Sequence, residues 1–180
     1  MAGFVIRPYR ETDRAAVIAA EIDLQEYERT LHDTRLPGAP VMDAYFDRLQ
    51  QDVAAQSGTI LVAEHGGRLV GLVACVVVED DAVQETQDSN VHGYITDIYV
   101  VPDRRGSGLA QALLQAAEDH LAPTGVSRVR INALAANARA CRAYEKYGFE
   151  PHEVMYEKRL RRPDSESAAV IVPPPRSGGC

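Results

Sequence analysis

The chain has no hydrophobic run near the roughly 18 residues that cross a bilayer, and its opening, MAGFVIRPYR, lacks an apolar signal-peptide stretch. Neither a membrane span nor a secretory leader is expected, and no membrane partner. Cysteine is sparse: Cys75, Cys141 and Cys180 stand far apart in 180 residues. That spacing offers no metal knuckle and no disulfide framework, and it suits a reducing, cytoplasmic setting with no metal. Basic charge is also short, with 19 Lys and Arg against 26 Asp and Glu, for a net charge of −7. A general nucleic-acid binder would carry a basic surface, so no nucleic-acid partner is expected. Internal repeats are absent.

What is present is ordinary for a globular chain: 46% hydrophobic and 25% charged residues, which excludes wholesale disorder. The composition shifts once, near residue 161, where the remaining segment gathers four of the ten prolines. This predicts one domain over residues 1–160 and a Pro-rich, disordered tail over 161–180.

Periodicity supplies the elements. Residues 4–9 read as a strand, followed by a helix capped by Thr12 or Asp13 and carrying Ala15, Val17, Ile18 and Ile22. A second helix covers Met42 to Ala55, with Tyr45, Phe46 and Leu49 on one face. The period then changes to strands at 59–65 and 68–78, joined by Gly66-Gly67. An acidic loop at 79–88 leads to a strand at 91–101. A helix at 109–121, a strand at 128–133, a helix from Asn137 to Tyr147 stopped by Gly148, and a closing strand at 149–160 complete the pattern. The order β-α-α-β-β-β-α-β-α-β predicts an α/β or mixed α+β sheet.

The junction YVVPDRRGSGLAQALL carries the most chemistry. Pro102 ends a strand, Gly106 and Gly108 permit a tight turn, and a helix then begins with free N–H groups and a positive dipole end. This is a backbone anion site suited to phosphate, with Arg104 and Arg105 beside it. A dinucleotide fingerprint fails here, because Gln111 stands where its third glycine belongs. The alternative is a glycine-rich turn that only links strand to helix.

The loop R-G-S-G-L-A (Arg105, Gly108, Ala110) resembles the acetyl-coenzyme A loop of the GNAT superfamily of N-acetyltransferases. Asn137, Ala140, Tyr144, Glu145, Lys146, Gly148 and Phe149 are similar to a second pattern of that superfamily, and VIRPYRETD to its first strand and turn. The resemblance covers residues 4–160. It implies a mostly antiparallel, splayed central sheet flanked by helices, and transfer of acetyl from acetyl-coenzyme A to a primary amine by direct attack in a ternary complex. The acceptor would be a small molecule or a peptide. It further implies that backbone N–H groups of Arg105, Gly106, Ser107, Gly108, Leu109 and Ala110 hold the pyrophosphate. Ile98, Tyr99 and Val100 would pair with the pantetheine arm, Asn137 would bind the cofactor, and Tyr144 would lie near the sulfur. A non-catalytic acyl-coenzyme A sensor and a transferase using another acyl donor are the alternatives.

The residues themselves leave choices open. Asn137 and Tyr144 lie two helical turns apart on one face. Tyr144 suits either a hydrogen bond to a leaving thiolate or general acid catalysis, or is a buried aromatic anchor. Asn137 also reads as a helix cap, and Cys141 as a packing residue. An acceptor amine with a pKa of about 10.4 must lose a proton before it attacks. Asp97 is the expected amine anchor or base, with His92, Tyr94 or a water chain as alternatives. Tyr27 and Glu28, together with Glu26, Asp80 and Asp81, are expected at an acidic acceptor mouth. A homodimer is expected only because two-fold dimers are common.

Overall fold

The computed structural model describes residues 3–160. The predicted tail at 161–180 lies outside the described residues. A compact unit runs from the N-terminus to Phe149, and a second unit begins at Glu150.

The first unit is built on five strands: β1 (Val5–Pro8), β2 (Thr59–His65), β3 (Arg68–Glu79), β4 (Val91–Val100) and β5 (Val129–Ile131). They lie side by side in chain order. The first three pairings are antiparallel, and β4 with β5 is parallel. The helices are α1 (Arg14–Arg29), α2 (Met42–Ala55), the single-turn α3 (Gln87–Asn90), α4 (Leu109–Leu121) and α5 (Ala138–Tyr147). The mixed, mostly antiparallel architecture is the one expected, and α2, β2 and α4 have the expected boundaries.

The sheet is covered on both faces. On one, α4 presents Leu109, Leu113, Leu114, Ala117 and Leu121 to Val73, Cys75 and Ile95. On the other, Val17 and Ala20 of α1 and Phe46 and Leu49 of α2 pack on Ile60, Val62, Leu72 and Ala74. Double coverage explains why the middle of β3 reads as a continuous apolar run rather than an alternation. Its residues Leu72 to Cys75 are all fully buried.

Three expectations are corrected. Neither Thr12 nor Asp13 caps α1 through its side chain. Asp13 instead accepts the Arg10 N–H at 2.8 Å and two bonds from the Arg7 guanidinium at 2.7 and 2.9 Å. Arg7 also grips Glu64 at 2.8 Å, so one cation ties the β1–α1 turn to β2. Its charge holds the Asp13 carboxyl below the usual range. The strand expected at 128–133 is only three residues long, because β5 leaves β4 after Ile131. The strand expected at 149–160 does not form: residues 150–160 carry no helix or strand and are exposed. Its apolar residues Val154, Met155 and Tyr156 are consecutive, so they define no single face for a sheet to bury.

Leu113 is fully buried against β3, whereas Val83 is fully exposed. Leu113→Ala should lower unfolding free energy by about 2–5 kcal/mol, and Val83→Ala should stay within about 0.5 kcal/mol of the parent, both read from chemical denaturation.

Candidate functional site

The site begins with an extra residue. β4 pairs Asp97 with Ala74 but Ile95 with Cys75, so Thr96 has no partner of its own and forms a β-bulge. Its hydroxyl donates to the Ala74 carbonyl at 3.3 Å. In a regular strand Ile95 and Asp97 would share a face. The bulge sends Ile95 into the α4 core and turns Tyr99 toward α1 and α2, and Asp97 onto Tyr45 of α2.

The same strand has an open edge. It pairs with β5 only from Gly93 to Ile95, so its last residues run on beside no neighbour on that side. Val101 N–H donates to Val70 at 3.1 Å. By antiparallel alternation the backbone of Tyr99 also points to β3, while that of Ile98 and Val100 points into the opening. Ile98 and Val100 thus turn main-chain groups to the side that β5 has left. Tyr99 faces the other way: its main chain pairs with β3, its side chain is buried in the core, and its hydroxyl donates to Asp23 at 3.1 Å. It serves packing. The Val100 carbonyl accepts from Arg105 Nε at 3.1 Å, so Arg105 folds back over the strand end.

The loop after β4 leads into α4. Gly108 is its N-cap, with φ +86°, and Gly106 has φ +79°. A side chain there would be strained. Neither glycine has a heavy atom within 4 Å of where a Cβ would project, so both face open space. Arg105 and Ser107 turn their N–H groups to carbonyls at 3.3 and 3.4 Å. Leu109 and Ala110 open α4, where N–H groups have no intrahelical acceptor. Arg104 Nε is buried with no hydrogen-bond partner among the described residues. An anion at this loop would meet backbone donors and a helix dipole.

Beside the bulge lies a buried acidic cluster that sequence reasoning caught only in part. Asp97 is 8% exposed and Glu21, from α1, 2%. Tyr45 donates to Asp97 Oδ1 at 2.7 Å. Asp97 Oδ2 and Glu21 Oε1 are buried without partners among the described residues. Burial pushes Glu21 well above the usual carboxyl range, and the Asp97 charge adds to it. Burial also raises Asp97, against the bond from Tyr45. Glu21 had a legible signal: it stands four residues after Val17, an acid on the apolar stripe of an amphipathic helix.

Around this pair stand Tyr94, Tyr144 and Glu28. Glu28 pairs with Arg35 at 2.8 Å. Tyr94 donates to Asn132 Oδ1 at 2.8 Å. Asn137 caps α5, its Oδ1 accepting the Ala140 N–H at 3.1 Å, which leaves its amide NH2 for another partner. Tyr144 lies inward on α5, edge-to-face with Phe149. Burial, then the Glu28 charge, pushes its phenol up to about 12, so it is a neutral donor at physiological pH. Cys141 lies close enough to influence it. Tyr27 is covered by the Arg139 guanidinium, 4.2 Å from the ring centre.

His92 is not brought to this cluster. It is buried at the start of β4, about 16 Å along the strand from Asp97. There its Nδ1 lies 3.0 Å from the Ser89 carbonyl and the Arg130 guanidinium lies 3.4 Å from both ring nitrogens. It anchors α3 rather than meeting an amine. Asp80 and Asp81 flank the same end of β4, about 20 Å along the strand from Asp97.

Residues 22–149 match the sequence model of the Acetyltransferase (GNAT) family. A mycothiol acetyltransferase from Thermobispora bispora is 34% identical over 116 residues, covering 62% of this chain and 37% of that protein. An N-alpha-acetyltransferase from Arabidopsis thaliana is 26% identical over 115 residues, covering 64% and 57%. The chain thus spans only part of the length of the curated relatives it matches. Among solved structures, a GCN5-related N-acetyltransferase from Ralstonia eutropha superposes with a TM-score of 0.68 at 25% identity, over 87% of this chain and 98% of that one.

The buried Glu21 carboxyl has a consequence for stability. Its proton affinity is higher folded than unfolded, so its contribution is complete below the ordinary carboxyl range and declines as pH rises toward the raised value. Glu21→Gln removes that slope. Denaturation at pH 5 and pH 7 should show the variant gaining on the parent at the higher pH.

Proposed function

The chain belongs to the acetyltransferase (GNAT) family, and from that premise we propose that it transfers an acetyl group from acetyl-coenzyme A to a primary amine within a ternary complex. The observation that carries this reading is the open edge of β4 at Ile98 and Val100, running into the glycine loop and the α4 N-terminus. A pantetheine arm is a chain of amides, and an unpaired strand edge offers amides their complement. A pyrophosphate needs convergent N–H donors, which the loop and helix start supply. The open space beyond Gly106 and Gly108 fits the same group. Phosphates held this way need no global positive charge, which removes the conflict with the net charge of −7.

Bound acetyl-coenzyme A supplies the acetyl group as a thioester whose departing sulfur carries negative charge. The chain's own residues do the rest. Val100 and Ile98 orient the arm along β4, and the Asn137 amide NH2 is free to donate to it. The Tyr144 hydroxyl donates a hydrogen bond to the departing sulfur. A phenol at about 12 handing its proton outright to a thiolate, whose thiol ionises near 8.5, would be uphill by about 5 kcal/mol. Stabilisation by hydrogen bonding, rather than complete proton donation, is therefore its role. Asp97 is the proton acceptor for the amine, through its Tyr45 partner.

The acceptor is an amine that arrives as a cation, because Glu21, Glu28 and Asp97 lie together and Glu28 alone among them has an ion-pair partner. Thiol release from acetyl-coenzyme A, measured over polyamines, aminoglycosides, amino acids and peptide N-termini, tests the reading. Release that requires an amine supports it, and amine-independent binding with no release across the panel overturns it.

Tyr144→Phe should lower kcat by about a hundredfold or more while changing the KM for acetyl-coenzyme A less than about threefold. An unchanged kcat would remove Tyr144 from the reaction. Gly108→Val, which puts a branched side chain at φ +86°, should weaken coenzyme A binding about tenfold or more, read by calorimetry.

A further inference from the structure

Two carboxyl oxygens with no partner in one buried cluster require an explanation, since each unsatisfied buried polar group is unfavourable. Glu21 Oε1 and Asp97 Oδ2 are such atoms. They come from α1 and β4, far apart in the chain, and the Asp97 charge reaches Glu21. The surroundings treat them differently. Asp97 receives a hydrogen bond from Tyr45, which favours its charged form. The charged groups acting on Glu21 are Asp97 and Glu28, both acidic, and both oppose its ionisation. Neighbouring like charges in a buried site oppose joint ionisation, and the surroundings favour the charge on Asp97 over a charge on Glu21.

Other groups face the pair from every side. Glu28 comes from α1, and Arg35 from the connection to α2, where it is bound to Glu28. Tyr45 comes from α2 and Tyr94 from β4, both under the influence of Asp97. Tyr144 of α5, with Cys141 beside it, feels both Glu28 and Asp97. The tyrosines are neutral at physiological pH, and Arg35, the cation that acts on Asp97, is itself ion-paired to Glu28.

We propose that Glu21 rests protonated and gives up its proton when a primary ammonium docks on Asp97 and the Tyr45 hydroxyl. This rests on the amine-acetyltransferase reading and names the resident that tunes its acceptor site. The exchange balances: the Glu21 O–H bond breaks, one proton leaves to solvent, and one positive charge enters, held by two carboxylates in place of one. Tyr45 is the outward member of the group, the residue 41% exposed while its hydroxyl reaches the buried Asp97 Oδ1. Glu21 is a positioning residue, acting through the charge on Asp97. Once ionised it raises the proton affinity of Asp97, so Asp97 becomes a competent base only after the cation has arrived. A neutral or anionic acceptor would not expel the proton and is disfavoured at the site.

Infrared difference spectroscopy of the full chain at pH 7, without coenzyme, tests this directly. The carbonyl band of a protonated carboxyl should be present in the parent and missing in Glu21→Gln. In the parent it should vanish on adding butylammonium chloride but persist in potassium chloride. Glu21→Leu, whose apolar side chain suits a buried position, provides a second variant that should also lack the band. No variant-sensitive band, or a band that survives butylammonium, overturns the proposal. These readings need no turnover, so failure of the acetyltransferase reading leaves them decisive. With an amine that the acceptor panel identifies, KM should fall by up to about tenfold per pH unit across the Glu21 titration in the parent. It should show no such slope in Glu21→Gln, and an identical slope in both proteins would overturn the role assigned to Glu21.

Discussion

Everything distinctive in this molecule follows from the point where two parallel strands stop sharing hydrogen bonds. β4 and β5 are partners for three residues, through Ile95 and Ile131, and then part. A main chain that has lost its neighbour must find other partners, and Ile98 and Val100 are left with theirs facing an opening. Immediately before them, the unpaired Thr96 reverses the side-chain alternation of β4. The parting of β5 thus leaves a backbone edge open, and the bulge turns Asp97 toward the acidic cluster on the opposite face.

The two faces of the sheet are specialised accordingly. The α4 face is dry and apolar, and its helix starts at the glycine loop, so the packing that holds α4 also aims its N-terminus. The α1/α2 face carries the same kind of core near Phe46 and Leu72 but admits Glu21 and Asp97 at its margin. Burying two acids with two unsatisfied oxygens is unfavourable for the fold alone. It is intelligible where a cation is to be received, because low polarity strengthens every charge interaction within reach. Tyr144, carried by α5, lies within electrostatic reach of Asp97 and Glu28.

The repeating and short-range features of this arrangement were legible in the chain. The helix period over 109–121 matched α4, and the alternating segment at 59–65 matched β2, because each is set by its own neighbours in sequence. The glycine loop was legible because positive φ at Gly106 and Gly108 is a local demand. The pairing of two motifs, around Arg105 and Asn137, was specific enough to indicate a family. What escaped had a tertiary cause. Residues 149–160 lack an alternating face, and only pairing could have made them a strand. His92 looked suited to proton transfer by residue type, yet the Arg130 guanidinium and the Ser89 carbonyl claim it. Tyr99 sits between two residues that face the opening and itself faces the other way.

The sequence by itself determined most of the elements, their order, the glycine turn before α4 and the capping of α5 by Asn137, since these depend on hydrogen bonds and periodicities spanning a few residues. Only the tertiary structure decided that β5 would leave β4 at Ile131, that Thr96 would bulge, and that Glu21 would lie buried within reach of Asp97. Those are agreements between segments tens of residues apart, set by how α1, α2 and α4 pack across the sheet. The charge on a carboxyl depends on which other charges and how little water surround it, and a linear chain does not contain that information until it folds.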